Sequence, residues 1–533
     1  LKIVFKDNKF YVKADSHLVS KLQRKGFNFD KSTGLWFTPF IENMRKIVGS
    51  SKLQKFEQLY ADRISKSMSL YGDTLKIPIP TGRSLFPFQQ AGVEYMVSCL
   101  DISDGGILLA DEMGIGKTIQ FIALCNYLGS QTGIIIVPAS LKTNWLNEWL
   151  KWSTQNRRLT IDIAQGNNFP DSDFVIINYD IITRHIDAIS SRKWDIAALD
   201  EAHYIKNYKA KRTRAIVGER GKFPGVKAPV RVVITGTPIL NRPIELFMPL
   251  KWAFPQGFFN QLSYASRYCD AKRTPFGWDF TGASHLDELQ NMLRSTIMCR
   301  RLKSSVLPQL PAKTRQVIEI DANSQVKRRL KHEHKFCEQK GLFDDDFNEV
   351  IKNMSNMRKS LMFDEIAEER RLNAIDKVPY VIEHLENLIE SGQKVVCFAW
   401  HKEVIKMISE HFNNDLLTIT GNTPIQQRQK QVDIFQNIDR YRLLIGNIKA
   451  AGVGFTMTAA NVCVFCELPW TPGEVTQAED RLHRIGQDSN VLVQHLVFRG
   501  SIDALMAKAI VRKQEIIEKA VDKKLTREEE ILL

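Results

Sequence analysis

Two sets of short apolar runs, separated by helical and loop-like stretches, constrain the fold of this 533-residue chain more than any other feature. The first set is Gly106 to Ala110, Gly133 to Val137, Phe174 to Ile177, Ile196 to Leu199 and Arg231 to Ile234. The second is Lys394 to Phe398, Leu416 to Ile419, Arg442 to Ile445, Asn461 to Phe465 and Val491 to Val493. The runs are continuous rather than alternating, so the strands they predict are buried on both faces. Parallel sheets covered on each side by crossover helices have this pattern. The expected fold class is therefore α/β, with two such lobes.

Between the two sets, residues from about 242 to 375 are rich in Phe, Leu, Lys, Arg and Glu at helical spacing, which predicts helical insertions and a connector. Pro308 and Pro311 mark the expected hinge. Before the first set lies a small α+β unit. It has strands at Ile3 to Phe5 and Phe10 to Val12, a helix opened by Asp15 or Ser16 and stopped by Gly26, and a hairpin through Trp36. Lys21, Arg24 and Lys25 make the end of that helix basic. Aromatics beside basic residues either stack nucleic-acid bases or fill a small core, and both readings stand. The expected organisation is a module at 1–55, a linker at 56–81, a first lobe at 82–310 with a helical insertion from about 242, a hinge and helical protrusion at 311–375, and a second lobe at 376–533.

Composition narrows the function classes. Seventy-four Lys plus Arg against sixty Asp plus Glu give a net charge of +14, which favours a polyanionic partner. With 44% apolar and 25% charged residues, the chain is neither collagenous nor broadly disordered. Eight Cys without repeating spacing suit free thiols in a reducing compartment, and no disulfide is expected. No run of about 18 apolar residues is present, so no membrane span is predicted, and a soluble intracellular protein is expected. The chain opens on Leu1 rather than Met, which leaves room for an amino-terminal extension.

Two segments carry chemistry. Asp111-Glu112-Met113-Gly114-Ile115-Gly116-Lys117-Thr118 follows one apolar run and precedes a helical stretch. A triphosphate needs this order: loop N–H groups and a helix N-terminus face the phosphates, the Lys reaches the terminal ones, and the Thr hydroxyl ligates magnesium. Asp111 stands where the common form of the loop has Gly. Asp200-Glu201-Ala202-His203 follows another apolar run. An acid at a strand end holds magnesium, and the Glu beside it orients and deprotonates the attacking water.

With these motifs the sequence resembles the Swi/Snf-type ATPases of the DEAD/DEAH helicase superfamily, over residues 82 to 500 or so. The likeness extends to Leu85-Phe86-Pro87-Phe88-Gln89, to Pro138-Ala139-Ser140-Leu141 with Trp145, and to Thr235-Gly236-Thr237-Pro238 followed by Asn241. In the second lobe it extends to Gly452-Val453-Gly454 through Asn461 and to Gln477 through Gln487. Arg267 to Arg273, Gly277-Trp278-Asp279, Arg300 to Lys303 and Leu310 to Lys313 look like the annealing-helicase branch of HepA-related proteins, whose substrate-recognition module the first 55 residues resemble.

The resemblance implies two RecA-like lobes and an ATP-hydrolysing translocase on double-stranded DNA that reanneals or remodels branched and forked DNA in repair or replication. Displacement of proteins from DNA, or a non-cycling DNA-binding scaffold, are the alternatives. ATP and Mg2+ are the implied cofactors. Lys117, Asp200, Glu201, Arg481 and Arg484 are the implied catalytic residues, with the two arginines implied as arginine fingers. Gln89, Asp111, Gly114, Gly116, Lys117, Thr118, Gly454 and Gln477 are the implied nucleotide contacts, and Thr118 and Asp200 the implied Mg2+ ligands. The implied DNA contacts, mostly to backbone, are Ser140, Lys142, Tyr179, His401, Gly452, Trp36, Lys21, Arg24 and Lys25. A monomer is expected, in cytoplasm or nucleoid if the source is bacterial or phage and in the nucleus if it is eukaryotic.

Overall fold

The computed structural model describes residues 3–48, 50–155, 158–236, 243–258, 260–274, 277–307, 309–339, 363–452, 454–469, 472–508 and 510–511. They divide into two compact units, Leu1–Pro308 and Gln309–Leu533.

The first unit opens with β1 (Ile3–Lys6), β2 (Lys9–Val12), β3 (Asn28–Asp30) and β4 (Leu35–Thr38), an antiparallel sheet in the order β1-β2-β4-β3. Its apolar side packs on helices Ser16–Arg24, Ile41–Val48 and Gln54–Ser67 around Phe10, Phe27, Trp36, Met44, Phe56 and Tyr60. The helix Gln54–Ser67 corrects the expected boundary. Residues 56–67 are not linker, because Phe56 and Tyr60 fill the module core and the Tyr60 hydroxyl donates to the Pro39 carbonyl at 2.6 Å.

The module is also joined to the lobe that follows. Phe40 enters the lobe's core against Phe254 and Phe258, with ring centroids 5.9 and 5.6 Å away. Lys46 pairs with Glu288 at 3.0 Å, and Lys9 donates to Gln256 at 3.1 Å.

The first lobe contains β5 (Gly106–Leu109), β6 (Gly133–Val137), β7 (Ile161–Ile163), β8 (Phe174–Asn178), β9 (Ile196–Asp200), β10 (Val230–Ile234) and, after an insertion, β13 (Met298–Cys299). They form a seven-stranded parallel sheet, β13-β5-β10-β9-β6-β8-β7. β5, β6, β8 and β9 are buried at every residue, as continuous apolar runs require when helices cover both faces. The insertion is not purely helical. Between helices Gln261–Tyr268 and Leu286–Arg294 it carries a hairpin of β11 (Lys272–Thr274) and β12 (Gly277–Asp279), short and largely exposed. The chain then returns to the sheet edge at β13, pairing Met298 with Leu108 and Cys299 with Leu109.

The second unit holds β14 (Lys313–Ile320), β15 (Val395–Ala399), β16 (Leu416–Ile419), β17 (Leu443–Asn447), β18 (Val462–Phe465) and β19 (Val491–Phe498), all parallel in the order β14-β19-β18-β15-β17-β16. Alternate residues of β15 serve two cores. Val396 and Phe398 pack on one side of the sheet, and Val395, Cys397 and Ala399 on the other.

β14 corrects the start of the hinge and helical protrusion expected at 311–375, since 313–320 is an edge strand paired along its whole length with β19; Ser324–Gln339 and the residues from Phe363 on are helical, and 340–362 lie outside the described residues. An edge strand is covered on fewer sides, so Lys313-Thr314-Arg315-Gln316 does not read as an apolar run. The helix Phe363–Glu390 likewise runs through the expected boundary at 375. These sheets are the two RecA-like lobes that the resemblance implies. Among the described residues, seven cysteines are free, and no helix is long and apolar enough to cross a membrane.

Candidate nucleotide site

β5 delivers the chain to Asp111, and the helix Lys117–Leu128 takes it up again six residues later. In the loop between them, Gly114 and Gly116 adopt left-handed backbone, with φ of +85° and +87°. Only glycine does so without strain, and at Gly116 a Cβ would lie 2.3 Å from the Gln89 amide nitrogen. The loop therefore turns tightly enough to aim the first N–H groups of the helix at its own interior. Lys117 spans that interior, its ammonium donating to the carbonyls of Asp111 (2.9 Å) and Glu112 (3.1 Å). Thr118 follows it, half-buried, on the first turn.

The acidic pair lies at the end of β9. Asp200 Oδ2 accepts from the Trp145 indole at 2.7 Å, and Oδ1 accepts from the Glu201 N–H at 2.9 Å. Burial, then the charge of Glu201, pushes the Asp200 carboxyl up to about 6, against the pull of the Trp145 bond and the Lys117 ammonium. Lys117 is thus an electrostatic neighbour of Asp200, which unites the two motifs. Glu201 is held at φ +49°, a left-handed conformation costing a non-glycine residue on the order of 1–3 kcal/mol. Such strain recurs at functional sites. Its carboxylate lies 3.4 Å from His203 Nδ1. At the end of β10, a Cβ on Gly236 would stand 3.3 Å from Lys117 Nζ, so this backbone closes over the ammonium. Thr237, Pro238 and Asn241 of the same motif lie outside the described residues.

Not every residue singled out from the sequence faces this site. The carboxylate of Asp111 is fully buried and turned away from the loop interior, toward Arg301 and Gln120, so it supports the loop rather than touching phosphate. Gln89 is 1% exposed and bridges the chain: its Nε2 donates to the Ile115 carbonyl at 3.2 Å, and its Oε1 accepts from the Phe86 N–H at 3.1 Å.

Tyr179, expected on DNA, is 1% exposed and donates to the Asp200 carbonyl at 2.8 Å, so it props the acidic pair. Trp36 is core of the module, with its ring 5.3 Å from Phe29. Gly452 is buried too, and a Cβ there would stand 2.3 Å from the Ile448 carbonyl. Ser140 is half-buried, as is Lys142, whose ammonium donates to the Ala164 carbonyl at 3.2 Å. Lys21 and Lys25 are exposed, while the side chain of Arg24 lies outside the described residues.

In the second unit, the helix Pro472–Glu479 carries Gln477 and ends before Arg481. Arg481 therefore sits on a turn and Arg484 on a bend beyond the helix. The turns are bolted down on both sides. Glu479, fully buried, pairs with Arg315 at 2.5 Å and Lys313 at 3.2 Å, and Asp480 pairs with Lys313 at 3.1 Å. The Gln487 amide donates to the carbonyls of Ala460, Thr458 and Leu482. Arg481 Nε donates to the Gln477 carbonyl at 3.1 Å, and both arginines are half-exposed. Gly454 is buried with φ +90°, and Val453 lies outside the described residues. His401 is partly buried against Glu467, whose other oxygen accepts from the N–H groups of Trp400 (2.9 Å) and His401 (3.0 Å).

Trp145, Glu467, Arg301 and Arg315 are the partners that sequence reasoning gave no role. Trp145 had a signal, lying within the motif after Pro138. The others act across long stretches of chain.

Comparison with known proteins accords with this geometry. Residues 88–378 match the model of the SNF2-related domain, and residues 376–486 match the helicase conserved C-terminal domain. The SWI/SNF-related matrix-associated actin-dependent regulator of chromatin subfamily A-like protein 1 of Xenopus tropicalis is 31% identical over 519 residues, 92% of this chain and 52% of that protein. The DNA annealing helicase and endonuclease ZRANB3 is 33% identical in both Mus musculus and Homo sapiens, over 83% and 81% of this chain and 41% and 40% of the relative. The chain spans about half, or less, of the length of these curated relatives. With the family model covering more than half of its residues, the chain belongs to the SNF2-related family, and it groups with the annealing-helicase branch of the Swi/Snf-type ATPases.

Proposed function

We propose that this chain is a DNA-dependent ATPase that translocates on double-stranded DNA and reanneals or remodels branched and forked DNA. The observation that carries the reading is the meeting of Lys117, on its glycine-turned loop, with the Asp200–Glu201 pair at the end of β9. In this reading Lys117 holds the terminal phosphates and Glu201 takes the proton of the attacking water. Asp200 and Thr118 offer oxygen donors of the hard type that Mg2+ prefers, and a dication would offset the burial and the Glu201 charge that together raise Asp200. Bound there, Mg2+ would neutralise charge developing on the phosphates. By the resemblance alone, Arg481 and Arg484 are assigned to stabilising phosphate charge. The annealing function named for the ZRANB3 relatives is the source of the DNA-remodelling part of the proposal.

The test is steady-state ATP hydrolysis without nucleic acid and with single-stranded, duplex and forked DNA and duplex RNA at matched nucleotide concentration. Stimulation greatest on forked DNA supports the full reading. Lys117→Ala and Glu201→Gln are expected to abolish turnover while leaving DNA binding intact, and unchanged turnover in either overturns the site assignment.

A further inference from the structure

We infer that Arg301 is a positioning residue for the phosphate loop, acting through Asp111; this rests on the ATPase reading above. Arg301 is 3% exposed and Asp111 is fully buried. Asp111 Oδ1 accepts from the Arg301 backbone N–H (2.8 Å) and Nε (3.0 Å), and Oδ2 accepts from Nη2 (2.5 Å). The same guanidinium donates to Gln120 Oε1 at 2.8 Å and to the Phe88 carbonyl, while Gln120 Nε2 completes the ring by donating to Asp111 Oδ2 at 2.9 Å.

The segments gathered in this way are the ones that build the nucleotide site. Phe88 precedes Gln89, Asp111 begins the loop, and Gln120 lies on the first turn of the helix that ends it. Neighbouring residues tighten the seam: Arg300 donates to the Ala110 carbonyl at 2.9 Å, the Glu112 N–H to the Arg301 carbonyl at 3.1 Å, and the Lys303 N–H to the Glu112 carboxylate at 2.7 Å. The carbonyls of Asp111 and Glu112, fixed by these bonds, are those that hold Lys117.

The arrangement explains why the loop has Asp where its common form has Gly. Pairing of β13 with β5 brings residues 300–303 beside the loop from 190 positions downstream, and a glycine at 111 would give the buried guanidinium no counter-charge. Buried ion pairs are poor devices for stability alone, since well-packed apolar residues often serve as well or better. Five donors in a rigid fork are suited instead to fixing several acceptors at once, and small displacements of reacting groups are costly to catalysis.

The test compares Arg301→Lys and Gln120→Met with the parent for ATP KM and kcat on duplex DNA, for affinity toward a fluorescent ATP analogue with Mg2+, for DNA affinity and for thermal stability. Lysine keeps the charge but cannot serve all these acceptors. We expect Arg301→Lys to raise the KM for ATP and weaken analogue binding about tenfold, the worth of one hydrogen bond to a charged group, with DNA affinity unchanged. Gln120→Met, which removes no charge, should move KM in the same direction by less. A purely structural role would lower the melting temperature and the active fraction at unchanged KM, and that result overturns the inference. If Arg301→Lys fails to fold, an unchanged KM in Gln120→Met overturns it. A parent chain that neither binds nor hydrolyses ATP refutes the ATPase reading itself.

Discussion

Replacing Glu42 by Gln should stabilise the first unit at alkaline pH and leave it nearly unchanged at acid pH. Glu42 lies in the first turn of the helix Ile41–Val48, is 7% exposed, and its Oε2 has no hydrogen-bond partner among the described residues. Burial pushes its carboxyl up from 4.5 to about 7. Its own backbone N–H, Arg45 and Lys46 oppose the rise, and Glu288 adds to it. The hydroxyls of Tyr60 and Tyr268 also sense its charge.

Below about pH 4.5 the carboxyl is protonated in folded and unfolded chains alike and contributes nothing to the balance. Between there and pH 7 the folded chain keeps a proton that the unfolded chain has released, so stability falls as pH rises. Above pH 7 the full cost stands: a shift from 4.5 to about 7, at 1.36 kcal/mol per unit, amounts to about 3 kcal/mol. The amide does not titrate. Against the parent, Glu42→Gln should therefore gain about 3 kcal/mol, or roughly 6 °C in melting temperature, between acid and alkaline pH. Thermal unfolding of the full chain at intervals from about pH 4.5 to 8.5 measures that difference. A difference that stays flat across the range, or that turns against the variant at high pH, would refute the reasoning.

Three other outcomes are expected. Trp145→Phe keeps an aromatic ring beside Phe121 but removes the indole donor to Asp200, so kcat for ATP should fall about tenfold; an unaltered kcat would remove Trp145 from the site. Arg315→Met leaves Glu479 with Lys313 alone and should destabilise the second unit by about 3 kcal/mol at neutral pH. Burial would raise the Glu479 carboxyl, but pairing with Lys313 and Arg315 outweighs it and depresses the group, so its contribution is present above the unfolded carboxylate range and lost as pH falls; the gap between parent and variant in urea midpoint should narrow on acidification, and a widening gap would contradict the assignment. DNA affinity should fall by about 0.9 log units per log unit of salt for each phosphate neutralised, and Lys21→Glu with Lys25→Glu should reduce that slope by up to about 2; an identical slope would exclude this face of the module.

Asp111 to Thr118 and Asp200-Glu201 were legible without coordinates because their chemistry is local. A glycine-turned loop before a helix, and acids at the end of an apolar run, carry their geometry with them. The strands buried on both faces were legible for a similar reason, since β5, β6, β8, β9 and β15 are continuous apolar segments. Among the edge strands of the two parallel sheets, β16 was legible as an apolar run, and β7, β13 and β14 were not. β13 has only two residues, and β14 mixes charged and apolar side chains because a sheet edge does not require both faces to be apolar.

Trp36 and Tyr179 show the limit from the other side. Each has a side chain able to meet DNA, and each is buried instead, one in the module core and one under Asp200. Burial is a property of the whole packed unit, and local pattern does not supply it.

The sequence by itself determined the α/β class, the glycine-turned loop before a helix and the acids at a strand end, because period and neighbour chemistry are encoded within a few residues. Only the tertiary structure decided which residues support that loop. β13 must first pair with β5 before Arg301 can reach Asp111, and β14 must pair with β19 before Arg315 can reach Glu479. A buried charge is stable only beside its counter-charge, and in this chain the two arrive from segments 190 and 164 residues apart.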